Sequence, residues 1–168
     1  MHKRTTRLAW VLFGYYLLAL VWIILFKMSF SLAQLDRIRA VNLIPFAESM
    51  YADGRINRSE LVNNILVFIP LGVYLSVLCG QWPFWRKLGS IFGVSLLLEL
   101  LQYAFSVGVS DVTDLMGNTL GGVIGLGVYA LALWLCKDRD KANRLFVILA
   151  SIGSACLTAL LLLLLRGG

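Results

Sequence analysis

An all-α membrane bundle of about five transmembrane helices is the fold class this sequence predicts, and three observations carry the prediction. Five apolar runs, about 8–26, 61–79, 88–106, 117–136 and 145–165, are each long enough at 1.5 Å per residue to cross roughly 30 Å of hydrocarbon. Charged residues make up only 14% of the chain and apolar ones 60%, at a mean hydropathy of +0.83, where a soluble domain carries roughly 25% charged residues. The basic residues stand in short clusters beside the apolar runs (Lys3-Arg4, Arg86-Lys87, Lys137 to Arg144), as membrane topology requires. The net charge of +6 therefore needs no nucleic acid to explain it, and no aromatic-basic platform points to one. Residues 1–168 read as one membrane domain without a repeat, a low-complexity tail or a soluble appendage.

The first run, Leu8 to Phe26, is 19 residues long and predicts a transmembrane helix. A cleaved signal peptide is the competing reading, because Lys3, Arg4 and Arg7 precede the run and Ser31-Leu32-Ala33 resembles a cleavage site; the run exceeds the usual apolar length of about 7–15 residues. Lys27 to Leu61 follows, too short at 35 residues to build a core of its own. Within it Leu32, Leu35 and Ile38 alternate with Asp36, Arg37 and Arg39 and predict a short interfacial helix. Asn42-Leu43-Ile44-Pro45-Phe46 then predicts an apolar, proline-containing turn that re-enters the membrane. Asn57 with Glu60 three residues later predicts the cap of the second helix.

That second helix, about Leu61 to Cys79, carries Asn63 and Asn64 near its start and Pro70 near its middle, where the missing N–H frees the Leu66 carbonyl and predicts a kink. Trp82, Trp85, Arg86 and Lys87 mark a headgroup boundary before the third helix, about 88–106. Gly117, Gly121 and Gly125 recur every four residues in the fourth and predict a ridge on which another helix packs closely. Cys79, Cys136 and Cys156 lie in apolar runs without metal-binding spacing and read as buried thiols.

Lys and Arg counts set the orientation. With the N-terminus inside, the inner segments hold nine basic residues and the outer ones six, five of which lie in the long first loop. In that orientation the polar residues of the chain converge on the outer level. Asn64 opens the second helix, Glu99 and Gln102 end the third, Asp111 and Asp114 lie in the next loop, and Asn118 with Thr119 opens the fourth. Glu99 and Gln102, three apart, share a helix face, and a charged group inside the hydrocarbon costs on the order of 2.5–3.5 kcal/mol on insertion scales. Two readings stand for each group. Glu99 and Gln102 are either a hydrogen-bonded pair that fixes packing or part of a site; Asp111 and Asp114 are either caps of the fourth helix or ligands. Asn64 is either interhelical glue or a site residue.

These blocks also carry a resemblance. Asn42-Leu-Ile-Pro-Phe46, Asn64-Ile-Leu-Val-Phe-Ile-Pro70-Leu-Gly72, Glu99-Leu-Leu-Gln102, Gly108-Val-Ser-Asp111-Val-Thr-Asp114 and Asn118-Thr-Leu-Gly121-Gly122 stand in the order and spacing of the VanZ-like family of bacterial membrane proteins, which the chain resembles between Asn42 and Gly125. The resemblance implies a multi-pass protein of the cytoplasmic membrane and accessory resistance to glycopeptide antibiotics, notably teicoplanin. It places Asn42, Pro45, Phe46, Asn64, Pro70, Glu99, Gln102, Asp111, Asp114 and Asn118 among the family's motif positions. Many members carry an arginine directly after the loop glycine; this chain has Val109 there, which removes the cation that an anion site would use.

Three functions follow. The first is a protein that binds or shields a lipoglycopeptide or a lipid-linked cell-wall precursor at the outer leaflet, with Asn42, Phe46, Asn64, Glu99, Gln102, Asp111, Asp114 and Asn118 as the ligand-binding set and membrane lipids around it. The second is a membrane-embedded enzyme in which Glu99, Asp111 and Asp114 act as acid and base or hold Mg²⁺; only this reading needs a metal, and no other cofactor is expected. Its core offers no histidine, since His2 is the only one in the chain, and no nucleophile beside a base. The third is a small transporter or flippase, which the absence of an internal repeat supports poorly.

Overall fold

The computed structural model describes residues 3–25, 39–45 and 58–167. In chain order they form α1 (Lys3–Leu25), β1 (Arg39–Asn42), α2 (Arg58–Leu78), α3 (Phe84–Phe105), β2 (Gly108–Asp111), α4 (Val112–Cys136) and α5 (Arg139–Gly167). All five helices are long and apolar enough to cross a membrane, so the fold is an all-α multi-pass bundle. The fourth helix starts at Val112, five residues before the glycine ridge that marks it in the sequence, because Asp111 caps it.

The bundle is organised on the α2–α4 pair, and glycine is the reason. A Cβ at Gly121 would run into the Ile65 carbonyl, one at Gly125 into the Ile69 carbonyl, and one at Gly72 into the Gly122 carbonyl. The four-residue period of the ridge matches the four-residue period of the carbonyls it faces, so the two backbones meet without side chains between them. Gly122 faces a third helix instead, where a Cβ would strike the Ile91 side chain. Around this seam Leu20, Ile24 and Leu25 of α1, Phe68 and Leu71 of α2, Ile91 and Leu98 of α3, and Leu126 of α4 form one buried cluster. The first helix is thus a built-in member of the core.

Next to the proline defect, α1 supplies a hydrogen bond to α2. Tyr16 donates its hydroxyl to the Val67 carbonyl at 2.8 Å, three residues before Pro70 and beside the Leu66 carbonyl that proline leaves without a donor. Tyr16, Phe13 and Tyr74 pack as an aromatic group next to it.

The first loop holds a strand that its sequence does not announce. Arg39–Asn42 is a strand that pairs in parallel with Gly108–Asp111, setting Asn42 opposite Asp111. Beyond it Leu43 and Ile44 are exposed. The described part of this loop therefore lies along β2, a pairing that satisfies backbone groups which a short apolar turn would leave open. The interfacial helix expected over Leu32 to Ile38, Phe46 and the cap at Asn57 lie outside the described residues.

The thiol expectation also needs correction. Cys79 and Cys136 are half-buried, but Cys156 is exposed on α5. That helix packs sparsely, and Ile148, Ile152, Leu160 and Leu163 are exposed with the cysteine. In a spanning helix such a surface faces lipid, which an apolar thiol tolerates as readily as a core. At the opposite pole from β1 and β2, the Arg86 guanidinium stacks on the Trp82 ring at 5.4 Å, a boundary arrangement of the kind expected from the sequence.

Candidate functional site

The polar residues singled out in the sequence meet at one end of the bundle: the start of α2, the end of α3, the start of α4 and the β1–β2 pair. Three local devices bring them there. First, α3 ends in a reversal at Ser106, whose φ of 56° is left-handed. The Ser106 N–H donates to the Tyr103 carbonyl at 3.2 Å and the Val107 N–H to the Gln102 carbonyl at 3.1 Å, a Schellman-type stop. Second, the reversed chain runs back along α3 as β2. Ser110 donates its hydroxyl to the Glu99 carbonyl at 2.8 Å, and the Asp111 N–H donates to Glu99 Oε2 at 3.1 Å. Third, Asp111 opens α4, its Oδ1 accepting from the Thr113 N–H at 2.7 Å. Its Oδ2 accepts from Asn42 Nδ2 at 3.1 Å, which ties the strand pair together through side chains as well. Asn42 Oδ1 in turn accepts from the Ile44 N–H at 3.1 Å and shapes the bend after β1.

A stripe on α3 faces this end. Ser95, Glu99 and Gln102 lie three or four residues apart, on one side of the helix, and all three are buried. Asn118 of α4 donates from Nδ2 to Ser95 Oγ at 3.0 Å, and Gln102 donates from Nε2 to the Ile24 carbonyl of α1 at 3.1 Å. Glu99, Gln102 and Asn118 are 6%, 5% and 1% exposed, yet among the described residues Glu99 Oε1, Gln102 Oε1 and Asn118 Oδ1 each lack a hydrogen-bond partner. A buried acceptor left open costs about 1–3 kcal/mol. Asp114, Asp111 and Glu60 bring further carboxylates within electrostatic reach of Glu99.

Two of the expected residues, Asp111 and Thr119, have mainly structural contacts. Asp111 is the α4 cap, with both carboxylate oxygens engaged. Thr119 bonds back to the Leu115 carbonyl at 2.7 Å within its own helix, and Asn63 is exposed. Asn64 is buried on α2 beside Gly117. Among the described residues no three of His, Cys, Asp and Glu are grouped so as to hold a metal ion, and Glu99, Asp111 and Asp114 do not form such a group. Sequence reasoning missed Ser95, Ser110 and the Ile24 carbonyl. Ser95 had a readable signal, one helical turn before Glu99; the other two depend on chain reversal and on α1 packing.

Comparison with known proteins bears on the same segment. The family model described as VanZ/LLP1 matches residues 13–134. The chain is also 35% identical over 123 residues to Protein VanZ of Enterococcus faecium, covering 72% of this chain and 73% of that protein. The chain belongs to the VanZ/LLP1 family. No solved structure matches it. The VanZ match contains every site residue described above, and α5 lies beyond its end.

A cavity of about 360 Å³ lies elsewhere, between α1, α2, α4 and α5, lined by Tyr16, Pro70, Tyr74, Phe146 and Ala150 among others. It is almost wholly apolar and shares no residue with the polar stripe. Tyr15 and Thr158 bridge α1 and α5 beside it through a 2.8 Å hydrogen bond. We place the candidate site at the polar end, because convergent polar groups rather than volume carry recognition chemistry.

Proposed function

We propose that this VanZ-family protein acts at the outer leaflet of the bacterial cytoplasmic membrane, where it lowers susceptibility to teicoplanin-type lipoglycopeptides by binding or shielding the antibiotic or a lipid-linked cell-wall precursor. The observation that carries the reading is the group of Glu99 and Gln102 on α3 and Asn118 on α4, buried at one end of the bundle, each with an oxygen that lacks a hydrogen-bond partner among the described residues. Membership in the family supports the link to glycopeptides. The N-terminus lies inside in this reading, which puts the stripe, β1 and β2 outside and the basic segments Lys3 to Arg7, Arg86-Lys87 and Lys137 to Arg144 inside.

A binding role asks less of the site than catalysis. Asp111 is committed to capping and to Asn42, with both carboxylate oxygens engaged. Glu99 has one oxygen fixed by the Asp111 N–H and the other open, an arrangement that orients an acceptor toward a bound group.

The test is the change Glu99→Gln, which keeps the size and the bond from Asp111 while removing ionisation and one acceptor. In a susceptible host expressing equal amounts of either protein, the variant is expected to lose most of the protection against teicoplanin. Full protection by the variant would remove Glu99 from the mechanism.

A further inference from the structure

We propose that the apolar cavity between α1, α2, α4 and α5 is a slot for one acyl chain of an anionic phospholipid. It is a second site, separate from the polar end, and stands independently of the reading given to that end.

The cavity follows from how α5 is held. Towards one end Tyr15 of α1 bonds to Thr158 of α5 at 2.8 Å, and Thr158 donates its own hydroxyl to the Ser154 carbonyl, which leaves Tyr15 as the donor. Towards the other, Tyr129 of α4 donates to Asn143 Oδ1 at 2.7 Å and packs its ring on Phe146. Between these two clamps the face of α5 that lines the cavity carries Ala150, Gly153 and Ser154. Side chains this small leave unfilled the space in front of Pro70 and Tyr74 of α2 and Tyr16 of α1, a volume of about 360 Å³.

The walls decide what can fill it. A buried water needs two to four polar partners, and these walls are almost wholly apolar. The hydroxyls of Tyr15 and Tyr16 are already engaged, by Thr158 and by the Val67 carbonyl. Left empty, the walls would forgo dispersion contacts, which hydrocarbon restores. An apolar cavity of about 150 Å³ takes up benzene, so one of 360 Å³ holds roughly a dozen carbons of a chain. A helix from a second copy, about 10–12 Å across, needs more than this volume for each turn. Val128 of α4 and Leu149 of α5 line the cavity and are also 40% and 51% exposed, so the slot meets the bilayer along the α4–α5 side. A chain lying in the membrane enters there.

Charge names the headgroup. Phe146 and Val147, at one end of the slot, follow directly on the segment Lys137 to Arg144, where four basic residues outnumber Asp138 and Asp140. Lys137, Lys141 and Arg144 are exposed at that pole, and Arg139 reaches the Gly80 carbonyl just beyond α2 at 3.3 Å. A phospholipid whose chain occupies the slot thus rests its headgroup against a basic boundary, which favours a negative one. The α5 wall lies beyond the VanZ/LLP1 match, so the slot is not contained in the matched segment.

The test is native mass spectrometry of the full-length protein, stripped of lipid in mild detergent and titrated with phosphatidylglycerol, phosphatidylcholine of the same chains, or glycerol phosphate. One bound phosphatidylglycerol is expected, preferred over phosphatidylcholine by about fivefold or more, with no binding of the chainless glycerol phosphate. Gly153→Leu adds a side chain where a Cβ has open space at the slot and also gains helix propensity, so it is expected to lose that lipid without losing stability. Gly127→Leu, on α4 and equally open but not lining the slot, is expected to keep it. Retention of the lipid by Gly153→Leu would overturn the proposal, because the chain would then lie on the outer surface of the bundle. Equal affinity for the two phospholipids would overturn the anionic assignment, binding of glycerol phosphate would overturn the role of the chain, and absence of bound lipid would overturn the slot itself. If Gly153→Leu is not monodisperse, Ala150→Leu supplies the same test from the same face of α5.

Discussion

Asp111 and Ser106 show how single residues fix the polar end. Asp111 holds the α4 start with one oxygen and Asn42 with the other. Replacing a capping Asp by Ala costs about 1 kcal/mol, and loss of the Asn42 bond adds to it. Ser106 works against stability, because a residue with a Cβ holds a left-handed φ of 56° where glycine would be relaxed. Asp111→Ala is therefore expected to lower the thermal midpoint in detergent and Ser106→Gly to raise it by the equivalent of about 0.5–1 kcal/mol. Opposite signs in one melting assay check both assignments. The bland reading of Asp111 as a cap was legible in its position before an apolar run. Its second partner was not, since Asn42 lies 69 residues away with nothing in either local sequence to announce the pairing.

Among the elements, the α2–α4 seam is the most demanding. Gly121 and Gly125 sit against carbonyls of α2, so even a methyl group must push the helices apart. Overpacking of this kind costs about 1–3 kcal/mol. Gly127, on the same helix with open space where its Cβ would stand, provides the control. Gly121→Ala is expected to lower the melting midpoint and folded yield, whereas Gly127→Ala is expected to raise the midpoint slightly, by about 0.5–1 kcal/mol, through helix propensity alone. Equal effects would show that the seam is looser than its backbone contacts imply. The four-residue glycine period was readable as a packing ridge. Which helix it meets was not, because a ridge encodes a close approach and leaves the partner to the fold. The two strands were missed for a related reason. Four residues are too few to display alternation, and each strand is stable only through the other.

The whole molecule sorts charge to its two ends. Basic segments flank α1, α3 and α5 at one pole, while Asn42, Glu99, Gln102, Asp111 and Asn118 gather at the other. The long first loop dissents from the charge rule, with five basic residues between Lys27 and Leu61. The described strand of that loop lies on β2, at the pole where Glu60, Glu99, Asp111 and Asp114 stand. An alkaline phosphatase reporter fused after Gly168 is expected to be active and one inserted between Gly80 and Pro83 inactive. The reverse pattern would turn the bundle over and move the polar pole to the inner leaflet.

The sequence by itself determined that the chain is a bundle of about five membrane-spanning helices, and which polar residues would be costly there. Apolar length and charge scarcity are properties of local composition, and a bilayer reads them one segment at a time. Only the tertiary structure decided that Glu99 fastens β2 to α3, that Asn42 meets Asp111, and that Gln102 reaches the α1 backbone. Those bonds join residues 12, 69 and 78 positions apart, and their geometry follows from a glycine seam and a left-handed turn that place the helix ends together. The three buried oxygens without a partner among the described residues are likewise a tertiary result, because partnering depends on where the neighbouring helices come to lie.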